Sequence, residues 1–238
     1  MPSDMPSALP TPEEVRQRLA ALRADRGYVL AHHGALAAAA PDLHEAYERM
    51  YAALTRTRRH LDPLEKEFVW LALLVALKEA IGTHHLKLFR EAGGSDAQAL
   101  AAFRLAGFAS GAEGFGFVAA HWREWFPAID TDAAYLDAVA RMSDPTLPKG
   151  AADLAMLAVH AALGRHEGVA AHLRAAYAAA IAEEKMVEAL SLIIWPAGVN
   201  RFVEACTVWL ELMQSGAVTP SERFRAWAEA PGQGPLAR

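Results

Sequence analysis

Apolar residues recur at intervals of three and four along almost the whole chain, and strict alternation is nearly absent. That period belongs to helices with one buried face. The residues that dominate it, Ala, Leu, Glu and Arg, are strong helix formers. Val, Ile and Thr are sparse outside helical patterns, and no Asn-Gly or Asp-Gly turn joins alternating segments. The expected fold class is all-α.

Start and stop signals divide the pattern. Thr11-Pro12-Glu13-Glu14 supplies an N-cap, a proline at the first helical position and an acid at N3, predicting a helix to about Asp25 before Gly27. Further helices are expected over Tyr28–Ala38 and from a cap at Asp42 to about Thr55. Asp62-Pro63-Leu64-Glu65 repeats the start signal and opens a long apolar helix through Leu77, with Gly82 as its break. Thr83, Ser95 and the Ser110-Gly111 break frame two more helices, and another is expected to run to Trp125 before Pro127. Thr131–Met142 is a short helix, and Leu147-Pro148 opens a second long apolar one, interrupted by Gly164 and Gly168. Segments to Ala180, from Glu184 to Trp195 and from Phe202 to Gln214 follow, with a short helix from Pro220. Pro231-Gly232-Gln233-Gly234-Pro235 predicts a disordered tail.

The second half repeats the first. His85-Leu86-Lys87 matches His172-Leu173-Arg174 at an offset of 87, and Gly111 with Gly198 and Phe115 with Phe202 keep that offset. Upstream it becomes 86, pairing Leu61 with Leu147, Glu67 with Asp153, Leu71 with Leu157 and Gly82 with Gly168. Charged, basic, glycine and aromatic positions hold this register, which shared amphipathicity alone does not explain.

Composition narrows the function. The 238 residues are 53% hydrophobic, enough for a substantial core, and carry a formal charge of −5. The 23 Lys and Arg are spread along the chain, so no concentrated basic face for nucleic acid is expected. Met1 to Pro6 has no basic or apolar leader segment, and the longest apolar run, Phe68 to Leu77, is about half of what a bilayer span needs. No membrane partner is expected, and the expected location is cytoplasmic. Cys206 is the only cysteine, which excludes an intrachain disulfide, a CxxC pair and a multi-cysteine zinc site.

The second repeat reads Leu147-Pro148, then Asp153-Leu154-Ala155, then Gly164-Arg165-His166-Glu167-Gly168 and His172-Leu173-Arg174. The first reads Leu61-Asp62-Pro63, Glu67, His85, Ala92-Gly93 and Ala109-Ser110-Gly111. An early acid in a long apolar helix, a Gly-Arg-x-Glu step, a histidine roughly five turns beyond the acid and a small-residue-Gly break together resemble the carboxymuconolactone decarboxylase family. That family lies within the alkylhydroperoxidase-D-like superfamily. The resemblance covers about residues 60–125 and 147–213. It implies two tandem pseudo-symmetric units: an N-terminal helical segment over 1–60, repeats over 61–130 and 131–215, and a C-terminal helix and tail over 216–238. It also implies a homo-oligomer, a trimer of the fused pair. The peroxidase branch carries CxxC four residues before the family histidine; here those positions hold Lys78 and Ile81, and Arg165 and Gly168. A thiolate with a resolving partner is therefore absent, and peroxide reduction is disfavoured.

The resemblance implies cofactor-free acid–base chemistry on a small carboxylated lactone or ring compound, with decarboxylation as the leading reaction. Isomerisation or hydration would use the same groups, and a catalytically silent ligand-binding member is the alternative. His85 and His172 are the candidate proton carriers, oriented by Glu67 and Asp153. Each histidine could instead fill an interhelical space, and each acid could simply favour its helix start. Arg165 and Glu167 are the candidate substrate-binding residues, Arg165 for a carboxylate, unless it is solvated or paired. No metal and no cofactor are expected. Adjacent His84-His85 and His32-His33 point about 100° apart on a helix, and His121, His160 and His166 lack an i,i+4 ligand partner. Trp70, Trp122, Trp125 and Trp195 are expected in the core or at a subunit interface.

Overall fold

The computed structural model describes residues 9–233, and among these all regular structure is helical. Met1 to Pro6 and the tail residues Gly234 and Pro235 lie outside the described residues. The chain divides into two compact units, one ending at Thr57 and one beginning at Arg58.

The N-terminal unit holds α1 (Pro12–Arg26), α2 (Ala31–Ala39) and α3 (Pro41–Tyr51), continued by a π-helical turn over Ala52–Arg56. Thr11 and Glu14 form the expected capping box, and Gly27 ends α1 in the left-handed conformation. The second helix starts later than the sequence suggests, because Leu30 donates its backbone N–H to His33 Nδ1. Asp42 is not the cap of α3; Ala40 holds that position, with Pro41 as the first helical residue.

The larger unit contains α4 (Pro63–Leu77), α5 (Thr83–Glu91), α6 (Asp96–Gly111), α7 (Glu113–His121) and α8 (Thr131–Met142). Then come α9 (Ala151–Ala162), α10 (His166–Ala178), α11 (Glu183–Ser191), α12 (Ile194–Ala197), α13 (Val199–Gln214) and α14 (Glu222–Ala228). The two helices that are apolar on every side, α4 and α9, pack against each other at the centre. Phe68, Leu71 and Leu73 from one and Leu154, Met156 and Leu157 from the other are fully buried there. α6 covers α4, and α10 covers α9.

The repeats also brace each other's starts. Lys185 on α11 pairs at 2.6 Å with Glu65 at the head of α4, and Glu188 accepts from the backbone N–H of His60 and Leu61, each at 2.7 Å. At the position equivalent to Lys185, Gln98 on α6 donates to Thr146 Oγ1 at 3.0 Å, just before α9.

Several ends differ from the pattern. α7 stops at His121, and residues 122–125 form turns in which Trp122 and Trp125 are exposed rather than in the core. The expected helix to Trp195 is split, with α11 ending at Ser191 and a single turn, α12, carrying Trp195 and Pro196. Pro148 lies ahead of α9, which begins after Gly150, and Gly168 sits inside the first turn of α10 rather than breaking it. Pro231 to Gln233 form a turn tied back by a bond from the Gln233 side chain to the Ala230 carbonyl. No helix among the described residues is long and apolar enough to cross a membrane.

Candidate active site

α9 begins at Ala151, so Asp153 and His160 stand seven residues apart on one face, two turns along the helix. His172, on the facing α10, reaches into the gap between them. Its Nδ1 lies 3.1 Å from Asp153 Oδ1, and its Nε2 lies 2.7 Å from the hydroxyl of Tyr135 on α8. The same hydroxyl lies 2.6 Å from His160 Nε2. Asp153, His172, Tyr135 and His160 thus form one unbroken chain of short polar contacts. His172 is completely buried and His160 is 2% exposed, whereas the Asp153 side chain is 27% exposed.

Aromatic packing fixes the phenol. Phe108 on α6 stacks on Tyr135 with 5.7 Å between ring centres, and Phe115 on α7 meets it edge-on at the same distance. The ring that links two second-repeat histidines is therefore held by first-repeat side chains. Burial raises the Tyr135 hydroxyl well above the ordinary tyrosine range, so it stays a neutral donor. Burial, then neighbouring His172 and Arg165, lower His160 to about 3, so its imidazole is neutral near pH 7.

Tyr135 and His160 border a cavity of about 310 Å³ with Arg165, Glu167, Gly168 and Ala171. His160 Nδ1 has no hydrogen-bond partner and lies against Gly168, where an added Cβ would come within 2.3 Å of it. Asp153 borders a different cavity, of about 480 Å³, that shares no residue with the first. His172 opens onto neither.

Arg165 is engaged. It donates to the carbonyls of Ala109 and Ser110 at the end of α6 and pairs at 2.9 Å with Glu113, whose side chain is 70% exposed. Glu167 lies on the same cavity, directly over Gly116.

The first repeat brings its pair together differently. His85 Nδ1 lies 2.7 Å from Glu67 Oε2, a closer approach than the shorter Asp153 makes to His172. The Trp70 indole covers the imidazole face at 4.0 Å. Burial raises Glu67 to about 7 and lowers His85 to about 3. Glu67 borders a cavity of about 400 Å³ that occupies the place of the Asp153 cavity in the other repeat. Neither member of the pair borders the cavity at Arg165.

The profile of the carboxymuconolactone decarboxylase family matches residues 41–123 and again 130–211. The chain belongs to that family. The two matches are tandem, as the residue register requires, and the first begins at the start of α3, upstream of Leu61. No curated protein and no solved structure matches the chain. As a family member it departs at the positions where the peroxidase branch has sulfur. Arg165 and Gly168 stand there, and Cys206, the only thiol, is pushed up to about 11 by burial.

Sequence reasoning did not single out Tyr135 or His160. The signal for His160 was available, since Asp153 and His160 are two full turns apart on one helix face. Tyr135 carried none, because α8 precedes the shared motif. Among the described residues, no group of three or more His, Cys, Asp or Glu is placed to hold a metal ion.

Proposed function

We propose that the protein is a carboxymuconolactone decarboxylase-like lyase that works by cofactor-free proton transfer on a small carboxylated lactone or ring compound. The second repeat carries the activity. The observation behind this reading is the buried chain from Asp153 through His172 and Tyr135 to His160, ending on a cavity large enough for a small ring compound. Loss of carbon dioxide leaves an electron pair on carbon, and that carbon needs a proton. His160 and Tyr135 border the cavity, and His172 with Asp153 sets their protonation behind it.

Arg165 is the anchor for the substrate carboxylate. Its bond to Glu113 is largely exposed and so worth little, and an incoming carboxylate can take the place of Glu113 without breaking the contacts to α6. Glu167 faces the same space and contacts the uncharged part of the ligand. In the first repeat the Glu67–His85 pair serves packing, because Leu74 stands where the second repeat has His160 and Trp70 covers the imidazole.

We further propose a cytoplasmic homotrimer. Trp122, Trp125, Phe126 and Ile129 are all about half exposed or more, an apolar patch that a second subunit would cover. Sedimentation should give three chains per particle; a monomer would end that proposal.

The test of the reaction is release of carbon dioxide from 4-carboxymuconolactone and related lactone acids. The expected result is turnover that needs no added metal or cofactor. No release from any of them, by folded protein, would remove the decarboxylase reading. Deuterium uptake from heavy water at carbons next to the substrate carbonyl would then decide for isomerisation.

A further inference from the structure

Tyr135 Oη sits between two imidazole Nε2 atoms, 2.6 Å from one and 2.7 Å from the other, yet it carries one hydrogen. When that hydrogen is used within these two contacts, the hydroxyl donates to one ring and accepts from the other. The two histidines then present opposite Nε2 states. A carboxylate at Asp153 accepts from His172 Nδ1–H, which completes the constraint.

Two arrangements satisfy every contact without moving a heavy atom. In the unloaded one, His172 carries hydrogen on Nδ1 only, Tyr135 donates to His172 Nε2, and His160 Nε2–H donates to the tyrosine oxygen. His160 Nδ1 is then a bare lone pair. In the loaded one, His172 carries hydrogen on both nitrogens, Tyr135 donates to His160 Nε2, and His160 carries its hydrogen on Nδ1. The two differ by one proton. A proton arriving at His160 Nδ1 sends the Nε2 hydrogen to the tyrosine oxygen and the tyrosine hydrogen to His172 Nε2. The charge ends on His172 beside Asp153, and His160 is neutral throughout.

Resting on the proton-transfer reading above, we propose that this chain is a two-state relay: it takes up and returns a proton at His160 Nδ1, beside the substrate cavity, and stores it on His172 next to the Asp153 carboxylate. For a decarboxylation the loaded form protonates the carbon, and the relay is recharged at His160 Nδ1 after the product leaves.

Three independent features support it. His160 Nδ1, the atom that changes role, is buried, unpartnered and against Gly168, which has no side chain. The two ends of the chain border cavities with no residue in common, and Asp153 is the only member with substantial exposure. Phe108 and Phe115 clamp the phenol, so the hydroxyl hydrogen can turn while the oxygen stays in place. The other charged or titratable groups about the relay are Asp132 on α8, Glu113 on α7, and Arg165, His166 and Glu167 at the head of α10 on the substrate side, with Asp144 and Lys149 on the Asp153 cavity. Arg165 opposes a charge on His160.

The test needs no substrate: the ring nitrogens of His160 and His172 are followed by nitrogen-15 NMR through an acid titration, in wild type and in Tyr135→Phe. As wild-type His172 gains its second proton, His160 should change from the Nε2–H to the Nδ1–H tautomer without becoming charged. In Tyr135→Phe, His160 should ignore the titration of His172. A wild-type His160 that keeps one tautomer throughout would overturn the relay, as would a His172 that stays neutral until the fold is lost. A tautomer change that persists in Tyr135→Phe would overturn it too. If that variant fails to fold, the wild-type titration decides alone. Failure to turn over any lactone acid would sink the reaction and leave the relay standing.

Discussion

Leu74 in the first repeat and His160 in the second occupy equivalent positions, and each lies against the matching glycine. An added Cβ would come within 2.7 Å of Leu74 at Gly82 and within 2.3 Å of His160 at Gly168. The same backbone close approach thus holds a hydrocarbon in one repeat and an imidazole in the other. That difference separates a pair that meets hydrocarbon from one that is linked through Tyr135 and His160 to the cavity at Arg165.

Tyr135→Phe keeps the ring and its stacking but removes the hydroxyl shared by His160 and His172. It should lower kcat by about a hundredfold or more, the usual scale for losing a positioned proton carrier, and lower stability by about 1–3 kcal/mol, because two buried ring nitrogens lose their partner. Steady-state kinetics beside a melting curve checks this. Unchanged kcat would show that the hydroxyl is a packing detail.

Replacing Arg165 by Lys removes the forked donor. A carboxylate then loses its bidentate partner, and KM should rise at least about tenfold with a smaller change in kcat. Glu113→Gln should act in the opposite direction, lowering KM, because the competing carboxylate is gone. Equal KM values in all three proteins would place the substrate carboxylate elsewhere.

The pH dependence of stability follows from the buried groups. Folded His85 and His160 sit at about 3 against an ordinary 6.5, so the unfolded chain binds more protons between those values. Their contribution to stability is therefore full above 6.5 and is lost as pH falls toward 3. Glu67 is raised from 4.5 to about 7, so its contribution is present below 4.5 and is lost as pH rises through 7. Two histidines outweigh one acid between 4.5 and 6.5, so stability should climb with pH there and dip slightly toward 7. Glu67→Gln should abolish the dip. Urea unfolding from pH 4 to 8 measures both.

Among the described residues, two that are not glycine adopt left-handed backbone, Lys78 at φ 56° and Ala180 at φ 54°. Their equivalents in the opposite repeat are glycines, Gly164 at φ 70° and Gly93 at φ 88°. A side chain in this conformation costs about 1–2 kcal/mol, partly offset by the greater freedom of glycine in the unfolded chain. Lys78→Gly and Ala180→Gly should each stabilise by up to about 1 kcal/mol. Gly164→Ala should destabilise, since a side chain at φ 70° takes on the same left-handed strain. Denaturant midpoints decide each case.

Much of the fold was legible because local signals agreed with the tertiary result. The capping boxes at Thr11 and Asp62 mark where α1 and α4 begin, and the all-round apolar character of α4 and α9 marks the centre. Where the pattern misled, tertiary contacts decided. The run to Trp125 is helical in period, yet nothing buries Trp122 or Trp125, and the helix ends at His121. At the site, the acid–histidine pairs followed from the 86/87 register, because equivalent helices carry equivalent faces. The role of Tyr135 did not follow, since it depends on α8 lying against α9 and α10 and on Phe108 and Phe115 from the other repeat. Arg165 was legible as a cation near the site, but its grip on the end of α6 depends on packing between repeats.

The most direct test of the central claim compares lactone-acid turnover in His172→Gln with that in His85→Gln, both folded. The account predicts that His172→Gln loses at least about a hundredfold in rate while His85→Gln stays within about threefold of wild type. Loss of turnover in His85→Gln with His172→Gln unaffected would contradict it and move the active site to the first repeat.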